Sequence, residues 1–198
     1  MTDFLKTVSN RRSFYAINDQ SPLSETEITA LIETAVKYCP SAFNSQSGRV
    51  IILFGREHRR LWNIVEEALQ KVTPPERFPA TKEKIQAFRN GYGSVLYFED
   101  QETVTGLQQK FPLYQDKFPL WSEQSNGMLQ FIVWTALENR GLGASLQHYN
   151  PLIDQAVQQT WKLPESWKLI AQMPFGGIVQ KPEPKTFLPL ETRVKVFA

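Results

Sequence analysis

The chain has 198 residues, 41% of them apolar and 21% charged, and carries a net charge of +2. That length buries a core without staples, and such a composition describes an ordinary globular chain, expected to form one domain over residues 1–198. Basic and acidic side chains are interspersed, so no strong field for nucleic acid or a membrane surface develops, and neither is an expected partner.

In chain order, MTDFLKTVSNRRSFY lacks the continuous apolar core of a signal peptide, which makes the cytoplasm the expected compartment. Within it, N-R-R-S at 10–13 sets two guanidiniums beside a hydroxyl, ahead of a helix. Ser24 opens a capping box, S-E-T-E, with Glu27 placed to reach back and Leu23 and Ile28 placed as a hydrophobic staple. Ile28, Leu31, Ile32, Ala35 and Val36 then keep helical spacing to about Tyr38, where Pro40 stops the helix. Cys39 is the sole cysteine, which rules out an internal disulfide and a cysteine-built metal site; it reads as a small buried hydrophobe in a reducing compartment. Residues 49–54 read as a strand. A second amphipathic helix places Leu61, Ile64, Val65, Ala68, Leu69 and Val72 on one face before Pro74-Pro75 ends it.

A helix follows at about 81–90, Gly91-Tyr92-Gly93 breaks it, and SVLYFED reads as a strand because β-branched and aromatic residues dominate. Phe111, Tyr114, Phe118 and Trp121 read as aromatics packed under a loop, with a ligand-facing wall as the alternative. Residues 123–140 form a helix whose apolar residues, from Met128 to Leu137, cover nearly every side, which marks it as central and buried. Its MLQFIVWTAL cluster is about half of the roughly 20 residues that a membrane span needs. Gly141 is the expected cap. GLGASLQ reads as a short strand, Pro151 opens a helix to about Trp161, KLIAQMPFGG reads as a strand ending in a glycine turn, and RVKVFA alternates like a strand. The order suggests an α+β layer. Neither G-x-G-x-x-G nor G-x-x-x-x-G-K-[ST] is present, so no Rossmann dinucleotide turn or P-loop is supported.

Two short stretches carry chemistry. Arginine holds a phosphate with two parallel charge-assisted bonds, and Ser13 can add a third donor beside Arg11 and Arg12. Asn44 and Gln46 are spaced i, i+2, so in an extended chain both amides point the same way. Each amide carries a donor and an acceptor, as does the pyrimidine edge of a flavin, where a ring N–H sits between two carbonyls.

Together these segments resemble the FMN-dependent nitroreductases, in particular the short branch related to a fatty-acid-repression factor. The matching stretches are S-N-R-R-S, P-S-A-F-N-S-Q, G-Y-G-S-V-L-Y-F-E-D, G-L-G-A-S-L-Q-H-Y-N-P, and M-P-F-G-G with K-P-E-P-K, spanning residues 9 to 185. The resemblance implies a mostly antiparallel sheet flanked by helices, with a long central helix at the interface of a homodimer. It implies that Arg11, Arg12 and Ser13, joined by Lys185, contact the FMN phosphate and ribityl chain. By the same resemblance Asn44 and Gln46 would contact the ring, supplied by the neighbouring subunit; Leu146 and Gln147 would lie against the ring; Gly176 would belong to the turn near the phosphate. FMN would take a hydride from NADH or NADPH and pass electrons to a nitroaromatic or quinone-type small-molecule acceptor in the same place, by a ping-pong mechanism. No catalytic side chain and no metal are expected, because the protein's part is orientation and tuning of the ring; His148 reads as structural. The rival reading is a flavin-binding regulatory or lipid-response protein in which turnover is incidental. The arm at about 182–198 is expected to embrace the partner subunit.

Overall fold

Residues 3–197 are described by the computed structural model, and they form a sheet between two layers of helices. The strands are β1 (Ile17–Asn18), β2 (Gly48–Phe54), β3 (Gly93–Asp100), β4 (Leu142–Ala144) and β5 (Trp167–Ile178). Their order is β1-β5-β3-β2, β4 also pairs with β5, and every ladder is antiparallel. The helices are α1 (Asp3–Asn10), α2 (Glu25–Tyr38), α3 (Gly55–Val72), α4 (Phe78–Arg89), α5 (Gln101–Lys110), α6 (Phe118–Asn139) and α7 (Asp154–Trp161). None of these helices is long and apolar enough to cross a membrane.

The two-residue period of a strand sorts the core into two halves. Val95 and Tyr97 of β3 join Ala171, Met173 and Phe175 of β5 in packing on α2 and α6. Leu96 and Phe98 point the other way, into the cluster built with α3, α4 and α7. Covered on both faces, β3 is buried at all eight positions, which is why SVLYFED shows no polar alternation.

The capping box at Ser24 forms in full. The Glu27 N–H donates to Ser24 Oγ at 3.3 Å, and the Ser24 N–H donates back to Glu27 Oε2 at 2.8 Å. Ser24→Ala leaves both ends of this exchange weakened and is expected to cost about 1 kcal/mol, read as a lower denaturant midpoint at unchanged slope.

Helix α6 begins five residues earlier than the periodicity indicates, at Phe118, because Pro119 sits in the first turn, where its missing N–H leaves nothing unpaired. Phe118 and Trp121 therefore belong to the helix. One stripe, Leu129, Val133 and Leu137, is buried against the sheet, whereas Met128 and Phe131 are 42% and 38% exposed. The helix is thus not covered on every side within one chain. Gly141 ends it with φ of +81° and donates its N–H to Glu138 O at 3.0 Å.

On the other face, α3 buries His58, Leu61, Trp62 and Val65, while Val72 lies 60% exposed, off the expected stripe. The His58 ring is 1% exposed, with Nδ1 at 2.9 Å from Ser94 Oγ and Nε2 at 3.2 Å from Arg89 O. Trp62 Nε1 donates to the same Ser94 oxygen at 3.0 Å, so the hydroxyl proton turns to His58 Nδ1 and Nε2–H donates to the carbonyl. That bonding fits one neutral tautomer, and burial pulls the His58 pKa down to about 4.

Three local expectations fail for identifiable reasons. Pro151 precedes α7, which starts at Asp154. Gly176 lies inside β5 and not in a turn: the strand runs through both glycines to Ile178, and a Cβ on Gly176 would stand 2.1 Å from Asn18 O, so only glycine permits β1 to approach. The tail residues 193–197 form no strand, and Ala198 lies outside the described residues. Pro182, Pro184 and Pro189 favour an extended arm, and the alternating residues meet no sheet edge of their own chain, so no ladder forms.

Candidate functional site

Arg11, Arg12 and Ser13 leave the C-terminal end of α1 and lead to a strand, with no helix directly after them. The partial negative charge of a helix C-terminus favours cations there. Ser13 bridges Ala144 of β4, and the Ala144 carbonyl accepts from Phe14 N–H at 2.9 Å and from Trp134 Nε1 at 3.1 Å. That fixes the indole of Trp134, and the Arg11 guanidinium lies 4.2 Å over its ring. Half-buried, Arg11 has its pKa lowered, chiefly by burial and also by Arg12, with Glu138 opposing. The Glu138 carboxyl is pushed up by burial and leaves Oε2 without a hydrogen-bond partner among the described residues.

Arg12 Nη2 donates to Glu183 O at 2.5 Å and so ties the base of the C-terminal arm to this corner. Lys185, two residues on, is exposed, with Nζ 5.5 Å over the Phe187 ring. Leu146 and Gln147 follow just beyond the end of β4. Gln147 exchanges both backbone hydrogen bonds with Gln172, at 2.7 and 2.9 Å, and its Nε2 donates to Ser145 Oγ at 3.1 Å. Arg11, Arg12, Ser13, Leu146, Gln147 and Lys185 thus lie along one edge of the molecule, joined through β4 and the arm. Gly176 pairs with Gly143 of β4, behind that edge.

Asn44 and Gln46 lie elsewhere, and not on an extended chain. Residues 42–44 form a single 3-10 turn, and Phe43, Asn44 and Gln46 hold φ of 56°, 51° and 49°. Left-handed backbone costs a side-chain-bearing residue about 1–2 kcal/mol, so the shared strand face is replaced by a strained loop. Its internal bonds run from Asn44 N–H to Ser41 O at 2.9 Å, Ser45 N–H to Ala42 O at 3.1 Å and Gln46 N–H to Ser41 Oγ at 3.0 Å. Phe43 caps the rings of Phe111, Tyr114, Phe118 and Trp121 at centroid distances of 4.9 to 6.0 Å. The aromatics expected under a loop are indeed covered by one, the 40–47 loop.

Gln46 borders a cleft of about 660 Å³ between α2, β2 and α6, lined by Ile32, Val36, Val50, Ile52 and Leu129 with Glu99 and Asn126 at its polar end. Glu99 is 1% exposed; Oε1 accepts from Asn126 Nδ2 at 2.8 Å, while Oε2 has no partner among the described residues. Burial raises the Glu99 pKa against the hydrogen bonds from Ser47 and Asn126 and the nearby charge of Arg49. Cys39 lines the same cleft, half-buried, its thiol pushed up by burial and by Glu99, which disfavours a thiolate nucleophile. His148 stands exposed; the histidine with a packed role is His58.

One chain therefore carries two separated groups. The cleft that Gln46 borders includes none of the six residues of the other edge. Along α6, Trp134 beneath Arg11 and Asn126 beside the cleft are eight residues apart, about 12 Å at 1.5 Å per residue. Reading the sequence missed Trp134 as the seat of Arg11, Phe43 as the lid of the aromatic cluster, and Glu99 as a buried acid. Only the last left a trace, a carboxylate closing an otherwise apolar strand.

Comparison with known proteins bears on both groups. A sequence profile described as the Nitroreductase family matches residues 8–177. Nitroreductase FRM2 of Saccharomyces cerevisiae is 33% identical over 188 residues, which is 94% of this chain and 93% of that protein. The solved structure of nitroreductase CinD from Lactococcus lactis in complex with nicotinic acid is 45% identical, covers 99% of this chain and 100% of its own, and superposes with a TM-score of 0.93; the same protein is also solved with 4-nitrophenol. A structure from Desulfovibrio desulfuricans that holds FMN shares the fold, with 20% identity, a TM-score of 0.72 and coverage of 100% and 99%.

Proposed function

The chain belongs to the nitroreductase family and is an oxidoreductase, and from that premise we propose that it binds FMN and moves a hydride from NADH or NADPH to nitroaromatic or quinone-type acceptors. The observation that carries the proposal is the half-buried Arg11 guanidinium 4.2 Å over the Trp134 ring, with Arg12 and Ser13 beside it. A cation kept partly out of water gains most from a dianion placed against it. The donor set fits both ends of FMN: guanidiniums, a hydroxyl and the Lys185 ammonium suit the phosphate, and the Asn44 and Gln46 amides suit the hydrogen-bonding edge of the ring. The nitroaromatic bound by CinD and the FMN held by the Desulfovibrio protein support the same assignment. When bound, FMN supplies the two-electron chemistry, donor and acceptor taking turns at one place in a ping-pong sequence.

The chain's own residues bind and orient. Arg11 and Arg12 neutralise the phosphate, the segment at Leu146 and Gln147 lines the ring, and the amides fix its rotation. Of the buried acid–base groups, His58 is enclosed and neutral on the far face of the sheet, and the Glu99 carboxyl at the polar end of the cleft is 1% exposed with Oε1 held by Asn126.

A homodimer completes the site. The amide loop of one copy reaches the phosphate edge of the other, which unites two groups that one chain holds apart. Met128 and Phe131 on α6, the outer edge of β2 and the arm's exposed Phe187, Leu188, Leu190, Val194, Val196 and Phe197 form the apolar surface that the second copy covers.

The experiment is anaerobic: purified protein loaded with FMN is mixed with NADH or NADPH, and the flavin band near its visible maximum is followed. It should bleach and then recover on addition of 4-nitrophenol or a quinone. Flavin that stays oxidised sinks the proposed activity, and bleaching without recovery favours the regulatory alternative. Light scattering should give twice the chain mass; a monomer, or a dimer that keeps full flavin content after deletion of residues 192–198, removes the arm from the interface.

A further inference from the structure

Three of the four residues from Phe43 to Gln46 adopt left-handed backbone, and none is glycine. Glycine takes that conformation without strain, so the chain retains two amides and a phenyl ring where a glycine loop would fold more easily. Something must hold the loop against that strain. The turn's own hydrogen bonds shape it but do not anchor it to the rest of the protein.

Besides the Ser47 carbonyl, which accepts from the Asp100 N–H at 3.0 Å at the loop's end, two side chains anchor it. At one end the Phe43 ring touches four aromatic rings, stacked on Trp121 at 20° and edge-on or tilted to Phe118, Phe111 and Tyr114. At the other end the Arg49 guanidinium bridges backbone to carboxylate: Nη1 donates to Gln46 O at 2.7 Å and Gly48 O at 3.2 Å, and Nη2 donates to Asp100 Oδ2 at 2.7 Å. Asp100 is itself fixed, accepting from Thr103 Oγ1 at 3.0 Å and from the Glu102 N–H at 3.2 Å, so it caps α5. The planar fork is what lets one cation span both partners, and a lysine ammonium lacks that geometry.

We propose that Phe43 and Arg49 are positioning residues, a two-point clamp that holds the strained loop so that the Asn44 and Gln46 amides meet the flavin ring in one geometry. The proposal rests on the reading of Gln46 as a ring contact. An amide pair reading a hydrogen-bonding edge tolerates misplacement of only about 0.5 Å, and a loop this strained would relax away from that position once either anchor were cut. Arg49 acts through the Gln46 carbonyl, not through the flavin, so its effect shrinks when the Gln46 amide is absent and only the Asn44 amide is left to position.

The test is a double-mutant cycle on FMN affinity and on the bound flavin's visible spectrum, with thermal melting of the FMN-free protein as the structural control. Gln46→Ala, Arg49→Lys and Phe43→Ala should each weaken FMN at least fivefold with a shifted spectrum, while Phe43→Tyr keeps the ring contact and restores both. Arg49→Lys added to Gln46→Ala should weaken FMN clearly less than Arg49→Lys does by itself, because coupled residues are not additive. Additive losses, or an affinity unchanged in Arg49→Lys while Gln46→Ala weakens binding, overturn the clamp and leave the ring contact standing. An unchanged affinity and spectrum in Gln46→Ala overturns both. If Phe43→Ala fails to fold, Phe43→Leu and the Arg49→Lys cycle still decide. A Phe43 variant that alters only the KM of aromatic acceptors overturns the clamp in favour of an acceptor wall.

Discussion

Acidification from pH 7 to pH 4 is expected to remove about 3 kcal/mol of folding stability through His58. In the unfolded chain this imidazole titrates at its ordinary 6.5, whereas in the folded protein burial holds it at about 4. Above pH 6.5 both states are neutral and the contribution is fully present. As pH falls below 6.5 the unfolded state takes up a proton that the folded state refuses, and stability drops until the folded ring also titrates. The span of about 2.5 units at 1.36 kcal/mol each gives about 3–4 kcal/mol in full, of which about 3 is lost by pH 4, where the folded ring is half protonated. Glu99, Glu138 and Asp154 act in the opposite sense: their raised folded values favour the folded state at low pH and lose that contribution as pH rises through them. Urea unfolding at several pH values measures the net slope, and His58→Gln isolates the imidazole. The variant should be less stable at pH 7, because the bonds to Ser94 and Arg89 change, yet its stability should fall less steeply between pH 6.5 and 4. Identical slopes for both proteins would remove His58 from the acid response.

Arg11→Ala is expected to weaken FMN roughly tenfold to a hundredfold, since a charge-assisted hydrogen bond to a phosphate contributes about 1.5–3 kcal/mol. The same change strips the cation from the Trp134 face and from beside Glu138. Melting of the FMN-free variant therefore separates lost packing from lost binding. Arg11→Lys retains the charge without the planar fork and should fall between the two. Flavin fluorescence titration reads the affinity; if it were unchanged in Arg11→Ala, the phosphate end would have to lie elsewhere.

How much of this could be read beforehand differs between fold and site. Helices α2, α3, α4 and α6 and the central strands β2, β3 and β5 were legible because local patterns report local burial, whereas α1 and α5 were not read as helices. S-E-T-E at 24–27 starts α2 through hydrogen bonds among four adjacent residues, and the unbroken apolar run of SVLYFED announces a strand covered on both faces. The start of α6 was misplaced because Pro119 looks like a breaker unless its first-turn position is known.

The site was legible as residue types and not as geometry. Arg11, Arg12, Asn44 and Gln46 stand out by chemistry, but the i, i+2 argument assumed an extended chain at 44–46. The left-handed loop depends on Phe43 meeting rings up to 78 residues away and on Arg49 meeting Asp100, neither of which leaves a local pattern. Gly176 resembled a turn residue because its reason for being glycine, the Asn18 carbonyl of β1, lies some 158 residues earlier.

By itself, then, the sequence determined most of the longer helices and the central strands, the absence of disulfide or thiolate-metal chemistry from a lone Cys39, and the polar residue types suited to a flavin. Only the tertiary structure decided that Arg11 rests on Trp134, that the amides sit on a clamped loop, that the two groups are apart in one chain, and that the RVKVF stretch of the tail has no strand partner of its own. The physical reason is range. Capping and periodicity act over a few residues, whereas ring stacking, ion pairing and sheet edges join residues whose separation along the chain carries no signal.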